Sequence, residues 1–311
     1  MFSFILKRLG VMVLTAICLT FIVFYLVNLD PNLEKIAKTQ GNMRMTDEQV
    51  ESWLESNGYR EPLIKRYGEW LINTVQGDMG YSLRMQKPVT GELGQRLGYT
   101  GILMFWVMVV MVPMALLIGV LAGMREGTKL DRALSVASIT TTSAPEYVTG
   151  IIFTVIFAST LGWLKGVSSV NNITIENFTL PVITMAIYGM GYIARMTRAS
   201  MVEVMSSQYI RTARLKGVSF KNIVVKHALR NALIAPFTVI MLQFPWLLTG
   251  VVIVEAMFNY KGFGWLLVNA AANNDIDLLL GCSVVAVFVV LSTQLISDIG
   301  YAYLNPRIRV N

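Results

Sequence analysis

Histidine is nearly absent from this sequence, His227 being the only one, and cysteine is limited to Cys18 and Cys282, each inside a long apolar run. So few soft ligands leave no cluster for a zinc site and no framework of disulfides. Charge is scarce as well: Asp, Glu, Lys and Arg make up 14% of the chain against 54% hydrophobic residues, where a soluble domain carries roughly 25% charged residues. The dipeptide Gly-Lys does not occur. That excludes a phosphate-cradling loop of the form G-x-x-x-x-G-K-[ST]. What remains is a composition suited to lipid, with mean hydropathy +0.56.

Six stretches contain no Asp, Glu, Lys or Arg: 9–29, 97–124, 147–164, 177–194, 231–254 and 278–297. Each approaches or exceeds the ~20 residues that carry a helix across a ~30 Å hydrocarbon core. Their apolar residues run right round the helix rather than along one stripe, as a segment surrounded by lipid and other helices requires. Buried helices of a soluble protein are the plainer alternative, and six runs of this length argue against it. The expected fold class is therefore all-α integral membrane with six transmembrane helices.

The net charge of +7 is mostly a topology signal. Basic residues crowd into 1–8, 125–132, 195–230 and 305–311, whereas the connections 165–176 and 255–277 hold only Lys165 and Lys261. The positive-inside rule then puts both termini in the cytoplasm. Lys7 and Arg8 lead into an apolar run longer than a signal-peptide core of about 7–15 residues, with no small-residue cleavage site after it, so 1–29 reads as a retained first helix. Residues 30–96 mix acids and bases and form a small extracytoplasmic module. In it the run from Thr46 reads as a capped helix and Gly77 to Gly80 as a turn. The remainder divides into a five-helix core over 97–304, with a cytoplasmic loop at 195–230, and a tail at 305–311.

That loop carries the most specific pattern, Gln208-Tyr-Ile-Arg-Thr-Ala-Arg-Leu-Lys-Gly217, followed by His227-Ala-Leu-Arg-Asn-Ala232. Gly217 stands where a helix end needs a left-handed residue, with Arg214 and Lys216 opposing the negative end of the dipole. Ser219 is placed to cap a second helix. The reading is helix, tight turn, helix, with Ile210, Ala213 and Gly217 forming a small apolar ridge beside a basic face that includes Arg211 and Arg214. A DNA-reading helix-turn-helix is excluded because its second helix would run straight into a membrane span. A basic loop resting on anionic lipid accounts for the charge and not for the turn. Docking of the ridge in a partner's groove accounts for both.

This loop resembles the signature loop of ABC importer permeases, in the variant form found in the oligopeptide, dipeptide and nickel permease family. Arg211 and Thr212 precede Ala213, His227 and Arg230 replace the Ile and Pro of the general pattern, and Pro236 stands one residue late. The resemblance extends along nearly the whole chain, through Trp70, Gly77 to Ser82, Pro88, Arg96, Glu255 to Gly264, Asp298 and 303–309. It implies a MetI-like type I importer permease of the bacterial inner membrane, non-catalytic itself. It further implies a second homologous permease subunit, two ATPase subunits that bind ATP and Mg, an extracytoplasmic substrate-binding protein, and no cofactor or nucleic acid in this chain. Tyr209, Ile210, Arg211, Thr212, Ala213, Arg214, Lys216, Gly217, His227, Arg230 and Asn231 would form the ATPase-coupling loop.

Candidate path-lining groups are Glu146, which follows Pro145 at the edge of the third span, Gln243 and Thr249 in the fifth, and Thr293 and Gln294 in the sixth. Such residues more often bond to neighbouring helices. Pro245 is expected to kink the fifth span. The rival reading, a self-sufficient secondary transporter or channel, calls for internal repeats or charges in mid-span, and neither is found. A membrane enzyme would need convergent catalytic groups that are also missing.

Overall fold

The computed structural model describes residues 2–82 and 84–304, with the side chains of 2–4, 40, 245, 249, 250 and 301–304 excepted. The chain divides into two compact units, 1–99 with 262–292 and 100–261 with 293–311.

In the first unit, α1 (Phe2–Val27) is followed by α2 (Asp30–Gln40), α3 (Asp47–Ser56) and α4 (Leu63–Val75). α3 begins at a reciprocal cap: Gln49 N donates to Thr46 Oγ1 at 3.4 Å, and Thr46 N donates to Gln49 Oε1 at 3.0 Å. The partner is Gln49, three residues after the cap. Leu33, Ile36 and Ala37 of α2 bury against Val50 and Leu54 of α3. α4 lays Tyr67 on Phe21 and Phe24 of α1, edge-on at 5.1 and 5.5 Å, and Tyr67 Oη shares a 2.9 Å hydrogen bond with Thr20. The turn at 77–80 uses left-handed Gly77 and Gly80, and leads to a two-residue antiparallel pair, β1 (Tyr81–Ser82) with β2 (Lys87–Pro88). Further on, Phe263, Leu266 and Ala270, together with Leu278 and Cys282, close over Val89 and Leu93.

The second unit is organised around α8 (Ile175–Met205), preceded by α5 (Val89–Gly123), α6 (Lys129–Ser143) and α7 (Glu146–Phe153). α7 passes into a π-helical stretch at 154–160 that ends at left-handed Gly162. α5 and α6 approach α8 at glycines. A Cβ on Gly119 would stand 2.5 Å from Ala194 O, one on Gly123 2.7 Å from Arg198 O, and one on Gly191 2.4 Å from Ser138 O. Small residues at such crossings let backbones come close where lipid offers no hydrophobic drive. α9 (Gln208–Leu215), α10 (Phe220–Asn222), a π-helical stretch at 223–228 and α11 (Leu229–Ala232) follow, and lead into α12 (Ile234–Met257). The last two described elements are α13 (Phe263–Ala272) and α14 (Ile276–Leu304), of which 263–292 belongs to the first unit.

Among the described residues four helices are long and apolar enough to cross a membrane, namely Ile5–Val27, Val89–Gly123, Ile175–Met205 and Ile276–Gly300, and a fifth span is present if the bent pair Phe220–Ala232 and Ile234–Leu248 counts as one. Six were expected. The difference lies in the third stretch, where the apolar helix over Glu146–Thr160 is short because the chain turns at Gly162. The break before the fifth stretch, a 48° bend, falls at Leu233 between α11 and α12. α12 itself continues through Pro245, whose side chain lies outside the described ones.

Candidate functional site

Residues 208–232 fold into a hairpin. α9 closes with Val218 N donating to Ala213 O at 3.2 Å and Gly217 N to Arg214 O at 3.0 Å, the bond pattern of a helix that ends on a left-handed residue. Gly217 has φ +77°, and a Cβ there would meet nothing within 4 Å, so the position selects glycine through the backbone alone. Ser219 holds the extended N-cap conformation of the returning helix, yet its hydroxyl makes no capping bond.

The apolar ridge of α9 faces inward. Ile210 is fully buried and Ala213 nearly so, packed on Met201 of α8 and on Ile223, Val224 and Ala228 of the return arm. This corrects the expectation that the ridge is free to enter a partner's groove for two of its three residues: a hairpin this small has no other core, so its own return arm takes Ile210 and Ala213, while Gly217 stays exposed. Outward-facing are Tyr209, Arg211, Thr212, Arg214, Lys216 and Leu215, the last 82% exposed. Sequence reading passed over Leu215. Its signal was available: with Ile210 and Ala213 inside, residue 215 falls on the opposite side of the helix.

Two bonds fasten the hairpin. Asn231 Nδ2 donates to Tyr209 Oη at 2.9 Å and joins the two arms, while Ser200 Oγ on α8 donates to Ala232 O at 2.8 Å. His227 and Arg230 are exposed. Among the described residues His227 makes no hydrogen bond. Near the same end of α8, Arg198 grips Asp131 of α6 with Nε to Oδ1 at 2.5 Å and Nη2 to Oδ2 at 2.8 Å. Gly127 N also donates to Asp131 Oδ2 at 2.9 Å. The Arg198 hydrogen bonds hold the Asp131 carboxyl well below the usual carboxylate range despite its burial, with help from Gly127 and Ser135. The pair was not legible from sequence, since its partners lie 67 residues apart.

The candidate path residues do not all share one environment. Glu146 is buried at the first turn of α7, Gln243 is buried on α12, Thr293 is half-buried and Gln294 exposed. The side chain of Thr249 lies outside the described ones. A buried carboxylate that sequence reading did not single out is Glu255, fully enclosed near the end of α12, where its Oε1 accepts from Thr100 Oγ1 at 2.5 Å. Among the described residues no three His, Cys, Asp or Glu side chains are grouped to hold a metal ion.

The family model for the inner-membrane component of binding-protein-dependent transport systems matches residues 115–310, which include the whole hairpin. The chain belongs to that family of ABC importer permeases. The permease is 31% identical over 333 residues to a dipeptide transport system permease of Haemophilus influenzae, covering 99% of this chain and all of the relative. It is 30% identical over 318 residues to a Brucella suis protein named as a peptide permease, with both chains fully covered. A protein of Sinorhizobium fredii named as a peptide ABC transporter permease is 33% identical over 311 residues, 98% of this permease and 99% of the relative.

Proposed function

We propose that this permease is one of two transmembrane subunits of an ATP-driven importer of peptides or similar small polar solutes, and that the 208–232 hairpin couples it to ATPase subunits. If the short apolar helix over Glu146–Thr160 counts as the third crossing and the bent pair as the fifth, the count is six. Both termini then lie in the cytoplasm by the positive-inside rule, the hairpin lies on the ATPase side, and residues 30–96 lie on the outer side, where a substrate-binding protein would deliver solute. ATP and Mg belong to the partner chains. One observation carries the reading: the hairpin's apolar ridge is spent internally, so the groups left for a partner are the basic row Arg211, Arg214 and Lys216 around exposed Leu215. An apolar tip ringed by cations fits a socket with an apolar floor and an acidic rim. Closure of the ATPase pair would then move the hairpin and bias the spans between two arrangements.

The path through the membrane would include Glu146, Gln243, Thr293 and Gln294, completed by the second subunit. Peptide chemistry is favoured by the names of the relatives, a peptide permease, a dipeptide transport system permease and a peptide ABC transporter permease. The deciding experiment replaces Leu215 with Asp and, separately, reverses Arg211 and Arg214 to Glu. Uptake should fall at least about tenfold, the loss expected when an interface anchor is removed, with membrane insertion intact. Unchanged uptake and unchanged copurification of an ATPase would refute the assignment.

A further inference from the structure

Within the first unit lies a cavity of about 560 Å³ that the coupling reading does not use. Trp53, Tyr59 and Tyr81 supply aromatic lining, and Asp275, Asp277 and Arg84 supply charged groups of both signs. Trp53 and Tyr59 are already stacked, with ring centroids 5.8 Å apart and planes 18° from parallel. The carboxylates are fixed in place: Asp275 Oδ2 accepts from Ser82 Oγ at 2.5 Å, and Asp277 Oδ2 accepts from Tyr81 N at 3.3 Å. Asp275 Oδ1 also accepts from Leu278 N at 3.4 Å. An ionised carboxylate has about four acceptor positions, so each keeps acceptor capacity. Arg84 is exposed and makes no ion pair among the described residues.

Fixed anionic acceptors, a single guanidinium and a preformed aromatic wall suit a solute that bears both signs of charge. Ammonium groups are drawn to carboxylates and to aromatic faces, and a guanidinium takes a carboxylate in a bidentate fork. The volume falls in the range of small-molecule pockets. We infer that this cavity binds a small zwitterion such as a short peptide, its ammonium toward Asp275 and Asp277, its carboxylate toward Arg84, and its body against Trp53 and Tyr59. A purely cationic ligand would leave Arg84 opposed, and a purely anionic one would meet two aspartates. The inference rests on the reading that residues 30–96 face the compartment from which solute is taken. The cavity would then hold solute on the outer face of the permease, apart from the path through the spans.

The test uses the full chain with its partner subunits in lipid nanodiscs, without binding protein, and titrates alanyl-phenylalanine with its N-acetyl and C-amide derivatives. The expected result is saturable binding weakened about tenfold or more by either blocking group, a typical loss for one charge-assisted contact. Asp277→Asn should weaken discrimination against the N-acetyl form, Asp275 remaining, and leave that against the amide, while Arg84→Gln should abolish discrimination against the amide and leave that against the N-acetyl form. This exchange of selectivity separates a contact from a folding defect. No binding to the wild-type protein, or loss of affinity in both variants without the exchange, overturns the inference. Thiol labelling of a Ser56→Cys variant from each side of the membrane tests the underlying topology independently. Labelling from the cytoplasmic side alone would reject that topology whatever the binding result.

Discussion

At the scale of single residues, the most heavily committed charge is Asp131, 3% exposed against Arg198. Removing one partner of a buried pair strands the other, which costs 3–5 kcal/mol in full burial. Because Arg198 keeps 31% of its surface, Asp131→Asn should cost about 2–3 kcal/mol, read as a lower thermal midpoint of the reconstituted protein. The pH dependence has a definite sign. Folding lowers this carboxyl's affinity for protons, so its contribution is fully present above the ordinary Asp value of 3.8 and is lost as pH falls from there through the depressed folded value. The gap in midpoint between wild type and Asp131→Asn should stay level from neutrality to about pH 4.5 and narrow only below that. A gap that closes near neutral pH would contradict the assignment. At Gly217 the argument is purely conformational: Gly217→Ala places a Cβ in open space but at φ +77°, costing about 1–2 kcal/mol. Faster hydrogen exchange confined to 208–232 is the expected sign.

Secondary-structure elements were legible to different degrees. The long apolar helices and the turn at Gly217 follow from local chemistry, since hydropathy and the need for a left-handed residue are written in a few neighbouring positions. The inward direction of the α9 ridge was not, because Ile210 and Ala213 look the same whether they meet Ile223 in the return arm or an outside groove. The short apolar helix α13 and the π-helical stretches were hidden for the same reason. A π segment is one residue more than its α-helical equivalent, and only the positions of its neighbours reveal it. The stretch at 223–228 yields an element-scale prediction. Deleting exposed Val225 should restore α geometry and turn Asn231 by roughly 100° away from Tyr209. The protein should still insert, yet transport should lose its coupling to ATP hydrolysis, measured as ATPase activity without uptake. Where α5 meets α8, Gly119→Leu drives side-chain atoms into Ala194 O and Thr197. Overpacking of this sort costs about 1–3 kcal/mol or more, and thermal unfolding in nanodiscs is the measure.

For the molecule as a whole, burial is divided unequally among the candidate spans. The most apolar window of α8 is 72% buried, whereas those of α1, α5 and α14 are between 11% and 22% buried. The sides of α1, α5 and α14 are thus left mostly uncovered by the chain itself. The two cysteines report this directly: Cys18 on α1 is exposed and Cys282 on α14 is buried. In mild detergent, where the lipid-facing side of α1 becomes reachable, an apolar maleimide should label Cys18 and spare Cys282 in the folded protein, and label both after denaturation. Equal labelling of the two before denaturation would show that the packing around Val89 and Phe263 is wrong.

One consequence of α8 concerns how far a small movement travels. The helix is continuous from Ile175 to Met205, about 46 Å at 1.5 Å per residue. At its start Thr174 N donates to Asn177 Oδ1, and at its far end it is clasped to the hairpin through Ser200. If the hairpin couples to an ATPase as proposed above, a shift delivered at Arg211 would be carried along this one helix to the segment from Lys165 to Ser168, which is hooked to Glu176 and Phe258.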